Sequence, residues 1–380
     1  MKILFFHNTL PEYRIGWFCS LAESAEVDFV FTNEKQNEKD YGYVIDYKRA
    51  ENINCIFLSD KIRGFYELKN IMKNIEAYNF VELPPIDSIR EVIYSVYISY
   101  ICKKKKIKLG YFWEKWEAPK NKQNFERKIK NYILRVIPRM IYRKADVIFS
   151  VGKKNKEYFI SNGISEEKIK WIPDVSETPK CEYVDIRKQY NIPKDKKVVL
   201  YLGRMLKQKG VRNLIQAFSI IEHEFNARLH LIVAGEGEDL QNCRHLAKKL
   251  GVSNVDFVGG VNPSLRENYF AQCDIFVYPV TYYRGWVDVW GLTLNEAIQH
   301  GKIIISTDAV GSSYELIEDG VNGYRIEPEN NEELVDALIK SIESSIKFTA
   351  LKKDHELRQK YNYKCMALRY LNIVERCIDD

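Results

Sequence analysis

No two of the eight cysteines stand at CxxC spacing, and they are scattered along all 380 residues. That spread argues against a disulfide framework and a zinc site, and fits free thiols in a reducing cytosol. No stretch reaches the roughly 18 uncharged apolar residues that a membrane-spanning helix needs. The N-terminal MKILFFHNTLPEYR has a short apolar run and no small-residue cleavage site, so it reads as a buried strand rather than a signal peptide. No DxD triplet occurs, so neither a divalent-metal site of that kind nor a cofactor is expected. No low-complexity tract or sequence repeat is evident.

What is present is the composition of a folded protein. Apolar residues make up 46% and charged residues 29%. The chain is too long for one ordinary core, which favours two domains. The net charge of +6 is compatible with anionic ligands or an anionic membrane face, and by itself establishes neither. In the first half KILFFHN, VDFVFTN, INCIFL, NFVEL, IKLGYFW and DVIFSVG read as buried strands. In the second, KVVLYLG, RLHLIVAG, VDFVGG, DIFVYPV and KIIIST do. Helical stretches separate most of them, which implies two parallel, doubly wound α/β sheets. A proline- and charge-rich linker is expected near residues 174 to 195. Ligands on such sheets bind beyond the carboxyl ends of the strands, so two facing domains would form a cleft there.

Three loops of the second half carry candidate chemistry. After VVLYLG, which ends at Gly203, Arg204 and Lys209 lie close to a helix N-terminus. That terminus already carries partial positive charge, so two more cations there favour a bound anion such as a diphosphate; a solvated basic loop is the alternative. GEGEDL has only part of a dinucleotide fingerprint. Gly235 and Gly237 fit a tight backbone turn, beside a ligand or without one. The third loop is RGWVDVWGLTLNEA, residues 284 to 297. Gly291 lies at or just before a helix N-terminus, Asp288 in the loop, and Glu296 one to two turns into the helix. Ionised carboxylates suit the vicinal hydroxyls of ribose or a hexose. The plainer reading makes Asp288 a helix cap and Glu296 a solvated side chain.

The order and spacing of LGRMLKQKG, AGEGE, FVGGV, DVWGLTLNEA and GSSYELIEDGVNGY over about residues 196 to 330 resemble the retaining glycosyltransferases of the GT4 family, with the GT-B fold. The resemblance implies two Rossmann-like domains facing each other across a cleft. These would be residues 1–178 for the acceptor and 190–358 for a nucleotide-sugar donor, with 359–380 forming a C-terminal helix that packs back on the first domain. It implies that Arg204 and Lys209 hold the diphosphate, and that they and Asp288 are the catalytic candidates. Glu296 would take the ribose hydroxyls and Asp288 the sugar hydroxyls. Trp290, Gly291, Leu292 and Thr293 would lie under sugar and phosphates, with Gly203, Gly235 and Glu236 beside them, and Val258 would hold the base. The first acid of the family's E-x7-E motif is Asp288 here instead of Glu. Retention of anomeric configuration and a place in cell-surface polysaccharide synthesis come from the resemblance alone. A sugar-nucleotide epimerase or hydrolase of the same fold, or a degenerate partner subunit, are the rival readings.

In the first half, HNTLPEYR, ELPPIDS and WEKWEAPK follow strands and are expected to line the cleft. Their acceptor-side candidates are His7, Arg14, Trp113 and Glu114; the histidine many relatives carry in this region is missing. Residues 120 to 144 hold nine Lys or Arg and one Glu. Ile129, Tyr132, Ile133, Val136, Met140 and Ile141 fall on one helical face, which reads as core. The basic opposite face, with the lysines at 103 to 106, reads as solvated or as resting on anionic lipid, which would suit a lipid-diphosphate-linked acceptor. The basic run does not interleave aromatics, so nucleic acid is not an expected partner. A cytoplasmic protein is expected, lying against the inner face of the cell membrane if that basic face meets lipid.

Overall fold

Runs such as KILFFH and LHLIVA are apolar at almost every position, so neither suits a sheet with one wet face. The computed structural model, which describes residues 1–33, 48–59, 61–177, 180–224, 228–342, 353 and 355–380, covers both faces of each sheet. The first sheet contains β1 (Lys2–His7), β2 (Glu26–Phe31), β3 (Asn54–Phe57), β4 (Phe80–Leu83), β5 (Lys108–Phe112), β6 (Val147–Ser150) and β7 (Ile169–Trp171). The second contains β8 (Lys197–Leu202), β9 (Leu229–Ala234), β10 (Val255–Gly259), β11 (Ile275–Tyr278), β12 (Ile303–Thr307) and β13 (Gly323–Ile326). Their orders are β3-β2-β1-β4-β5-β6-β7 and β10-β9-β8-β11-β12-β13, and neighbouring strands run parallel. Each is the doubly wound order, with its reversal beside β1 or β8.

Sequence reasoning missed β7 and β13. Both are short edge strands, three and four residues long, with exposed or half-exposed positions. They lack the continuous apolar run that marks a central strand.

Helix α1 (Glu12–Ser24) packs against the C-terminal helix Tyr363–Asp379, so the end of the chain is part of the first domain's cover. Tyr370 of that helix sits among Phe5, Trp17, Phe80 and Phe149, with ring centroids 4.7 to 6.4 Å apart. Burying a side chain of this size stabilises by roughly 2 to 3 kcal/mol. Its hydroxyl donates to buried Glu82, 2.9 Å away. Burial pushes the Glu82 carboxyl well above the ordinary range. The domain boundary expected at 178 lies outside the described residues.

On the other face of the first sheet lie α2 (Lys61–Met72), α3 (Ile89–Lys105) and α4 (Phe125–Tyr142). Ser88 caps α3 and Asn124 caps α4 through side chains that accept a backbone N–H. Here one expectation is overturned. The α4 stripe is not core: Ile129, Tyr132, Ile133, Val136 and Met140 are exposed, and Ile141 is buried. The helix turns Asn131, Pro138 and Tyr142 inward instead. Helical periodicity identified one face of the helix, but could not say which face the sheet would take. No described helix is long and apolar enough to cross a membrane.

Candidate functional site

The carboxyl ends of β8, β9 and β11 come together where the second sheet reverses its order. Their loops form one wall of a cleft of about 830 Å³. Gly203 and Arg204 follow β8, Gly235 and Glu236 follow β9, and Tyr278 closes β11 ahead of Trp286 and Asp288. The facing wall comes from the first domain and the linker: Glu12, Tyr13, Glu114, Asp174 and Ser176.

Two glycines are required by close approach. A Cβ on Gly235 would lie 1.8 Å from the Gly203 carbonyl oxygen, so the turn after β9 can pass the turn after β8 only without a side chain. Gly291 has φ +86°, and a Cβ there would lie 2.7 Å from a Val310 methyl. The helix Thr293–Gln299 starts two residues later.

The cations behave differently. Lys209 is buried, and its Nζ lies 2.5 Å from Asp288 Oδ2. Tyr278 also donates to that oxygen, at 2.7 Å. The Tyr278 and Trp286 rings stand 4.9 and 4.8 Å from the ammonium. Burial lowers the Lys209 pKa, Arg204 adds to this, and Asp288 offsets them only in part. Burial alone would raise Asp288. The Lys209 ammonium and Tyr278 hydroxyl outweigh it, and the carboxyl is held below its usual range. Arg204 is exposed at the cleft and, among the described residues, forms no ion pair.

Glu296 is buried. Its Oε1 accepts from Ser176 Oγ at 3.0 Å and lies 3.5 Å from an Arg266 nitrogen. Its Oε2 and the neighbouring Thr293 Oγ1 are buried with no partner among the described residues, and both side chains line the cleft. A buried polar atom left unpaired costs about 1 to 3 kcal/mol, more when it is charged, so a carboxylate oxygen and a hydroxyl in this state at the cleft point to a ligand that supplies hydroxyl or N–H donors.

The expected donor residues Gly203, Arg204, Lys209, Gly235, Glu236, Asp288, Trp290, Gly291, Leu292, Thr293 and Glu296 all line this one cleft. Val258 does not; Gly260, Val261 and Pro263 take the wall just after it. Among the acceptor-side candidates Glu114 lines the cleft, whereas His7, Arg14 and Trp113 are buried and lie outside its lining. Arg14 instead pairs with Glu114 and with Asp174, the latter at 3.2 Å, and its guanidinium lies 4.8 Å from the Phe112 ring centroid. His7 hydrogen-bonds the Thr9 carbonyl. Burial, with Arg14 adding to it, lowers its pKa to about 3. Within ELPPIDS no residue reaches the lining.

Sequence reasoning missed Tyr278, Trp286, Arg266, Asp174 and Ser176. Tyr278 was within reach, since it ends a strand on the ligand side of the sheet. Asp174 and Ser176 carry no such signal; they stand in what reads as linker and matter only because the linker crosses the cleft.

Residues 183–363 match the family model described as Glycosyl transferases group 1. The match covers just under half of the chain and makes its second domain similar to the glycosyl transferases group 1. An uncharacterized glycosyltransferase of Methanocaldococcus jannaschii is 27% identical over 265 residues, 68% of this chain and 66% of the relative. The mannosylfructose-phosphate synthase of Agrobacterium fabrum is 26% identical over 292 residues, 72% of this chain and 61% of the relative. The chain thus spans somewhat under two thirds of these relatives' own lengths. Among solved structures, Anabaena HepE in complex with UDP superposes with a TM-score of 0.76, at 16% identity over 99% of this chain and 100% of that one. The fold is therefore GT-B: two parallel-sheet α/β domains across a cleft.

Proposed function

We propose that the protein is a metal-independent glycosyltransferase that moves a sugar from a nucleotide-diphosphate donor to a glycan or lipid-linked acceptor with retention of configuration. Its place would be cell-surface polysaccharide synthesis, as among relatives such as the lipopolysaccharide 1,2-N-acetylglucosaminetransferase of Salmonella typhimurium. The observation that carries this reading is the pair of unpartnered buried oxygens, Glu296 Oε2 and Thr293 Oγ1, in a cleft that also presents the unpaired cation Arg204.

The chemistry follows from where charge develops. Breaking the bond from anomeric carbon to diphosphate puts negative charge on the leaving phosphate. Arg204, exposed at the cleft, meets it. Lys209 is neutralised by Asp288 in the resting protein, so a bound diphosphate competes with that carboxylate for the ammonium. Glu296 holds hydroxyls of the nucleotide ribose. Asp288 has one oxygen engaged by Lys209 and Tyr278, which limits it to one oxygen for the donor sugar.

The test is calorimetry against a panel of nucleotide sugars, followed by turnover with and without a cell-envelope lipid extract. One donor that binds the wild type, fails to bind Arg204→Ala and Glu296→Ala, and is turned over only with acceptor supports the transferase. Turnover of the donor alone would make it an epimerase or hydrolase. Binding without turnover even with the extract would make it a degenerate partner subunit, and no binding by any donor would sink the donor site.

A further inference from the structure

The floor of the cleft holds two buried phenols. Tyr201 of β8 and Tyr278 of β11 lie on neighbouring strands where the sheet reverses, with ring centroids 6.3 Å apart and planes 17° from parallel. The Tyr278 ring packs beneath two glycine turns. A Cβ on Gly203 would lie 3.4 Å from one edge of it, and a Cβ on Gly291 3.3 Å from the other. Phenylalanine would fill that space as well, so the ring does not explain the hydroxyl. A buried hydroxyl costs free energy unless it is hydrogen-bonded. That of Tyr201 donates to the Arg204 carbonyl at 2.8 Å.

The Tyr278 hydroxyl does more. It accepts a hydrogen from Lys209 Nζ and donates its own to Asp288 Oδ2 at 2.7 Å, while the same ammonium also meets Oδ2 at 2.5 Å. Ammonium, phenol and carboxylate thus close a hydrogen-bonded ring. Its two charged members differ in freedom. Lys209 carries its ammonium on a flexible four-carbon stem. Asp288 has a single methylene, and its backbone is fixed on both sides: its N–H donates to the Ala309 carbonyl and its carbonyl accepts from the Gly311 N–H, each at 2.9 Å. An anion entering the cleft can draw the ammonium toward itself, but the carboxylate cannot follow. The Asp288 side chain is only 17% exposed, so water replaces a lost donor poorly. A mostly buried carboxylate left without donors is costly. The phenol is the donor that stays.

We infer that Tyr278 is a positioning residue for the donor: it keeps a hydrogen bond on Asp288 when a diphosphate takes the Lys209 ammonium, and so lets the ammonium go. This role rests on the donor reading proposed above, and Tyr278 fills it by acting through Lys209 and Asp288. Lys209 becomes available to phosphate while Asp288 stays an ionised acceptor for a sugar hydroxyl. With phenylalanine at position 278, Asp288 takes up a proton as the ammonium leaves.

The experiment is calorimetry of the full chain with inorganic pyrophosphate, UDP, GDP and ADP at pH 6. Tyr278→Phe should bind a diphosphate about tenfold more weakly than the wild type. In an Asp288→Asn background the same substitution should change the affinity by less than about twofold, because a neutral amide leaves no charge to compensate. Titrations in buffers of different ionisation enthalpy count the protons taken up on binding. Tyr278→Phe should take up more than the wild type, and the ligand's own protons cancel in that difference. This readout needs only the conservative variant, should Asp288→Asn fail to fold. If no diphosphate binds the wild type, the donor reading fails and the role of Tyr278 with it. If the wild type and Tyr278→Phe bind alike, the role of Tyr278 fails and the donor reading stands. An equal loss in both backgrounds, or a loss with no extra proton uptake, would reduce the hydroxyl to part of the shape of the floor and overturn its positioning role.

Discussion

The two sheets share a strand order but use the loops at their carboxyl ends in opposite ways. In the second domain the loops after β8, β9 and β11 turn glycines, Arg204, Asp288 and the approach to Glu296 toward the cleft. In the first domain the equivalent loops fold their polar side chains inward: His7 and Arg14 are buried, and only Glu12, Tyr13 and Glu114 of these loops reach the cleft. One wall presents Arg204, Glu296 Oε2 and Thr293 Oγ1 without protein partners among the described residues, while in the other Arg14 is paired with Glu114 and Asp174. The difference predicts that substitutions in the first wall are read as stability and those in the second as turnover.

The largest effect tests the first wall. Arg14 is buried against Asp174 and Glu114, and Asp174 is itself buried. Arg14→Ala removes the cation and leaves a buried carboxylate uncompensated, which should cost roughly 3 to 5 kcal/mol of unfolding free energy. A urea titration measures it. If Arg14→Ala unfolds at the wild-type denaturant concentration but loses donor turnover, the first wall is a ligand wall after all and the comparison breaks.

The second wall gives the mirror result. Arg204 is exposed and forms no ion pair among the described residues. Arg204→Ala should leave stability within about 0.5 kcal/mol of wild type. It should lower kcat/KM about a hundredfold or more, on the order of 3 kcal/mol, if the guanidinium holds the diphosphate and meets the leaving phosphate. Equal turnover in the two proteins would remove Arg204 from the chemistry. Glu296→Gln sharpens the same point with a smaller change. It keeps an oxygen for Ser176 but removes the charge from the unpartnered side, so donor affinity should fall by about 2 kcal/mol, some thirtyfold. An unchanged dissociation constant would mean that Glu296 Oε2 faces no donor hydroxyl.

The comparison also explains what the sequence makes legible. The second wall is written in short, ordered motifs. On the proposed donor reading, a diphosphate and a ribose demand particular groups at particular loop positions, which is why Arg204, Gly235 and Glu296 can be found in the sequence. The two sheets follow from apolar runs, and the missed β7 and β13 are edge strands too short and too wet to have one. The first wall has no comparable code. Whether Arg14 faces a ligand or pairs with Asp174 depends on a linker 160 residues away. Whether the α4 stripe faces core or solvent depends on which side the sheet takes, and periodicity is the same in both cases. Ser176 shows the limit most simply: nothing in IPDVSE signals a serine that will donate to Glu296 across the cleft.

The smallest effect concerns pH and belongs to the inward-turned wall. His7 is buried and its pKa is lowered from 6.5 to about 3. Between those values the unfolded chain takes up a proton at this position and the folded chain does not. Stability therefore falls as pH drops from 6.5 toward 3, and this contribution is absent above pH 6.5. One unit below 6.5 the loss is about 1.4 kcal/mol from this residue. Carboxylates titrate over part of the same range, so the informative quantity is the difference from a His7→Gln variant, whose side chain carries no proton to gain. The variant should start less stable at pH 7.5, because the packed imidazole and its bond to the Thr9 carbonyl are lost, and the gap should narrow by about that 1.4 kcal/mol at pH 5.5. A gap that stays constant from pH 7.5 to 5.5 would mean that His7 titrates alike folded and unfolded. The loop after β1 would then be open to solvent, and the contrast between a wall closed on itself and a wall open to ligand would fail at its first residue.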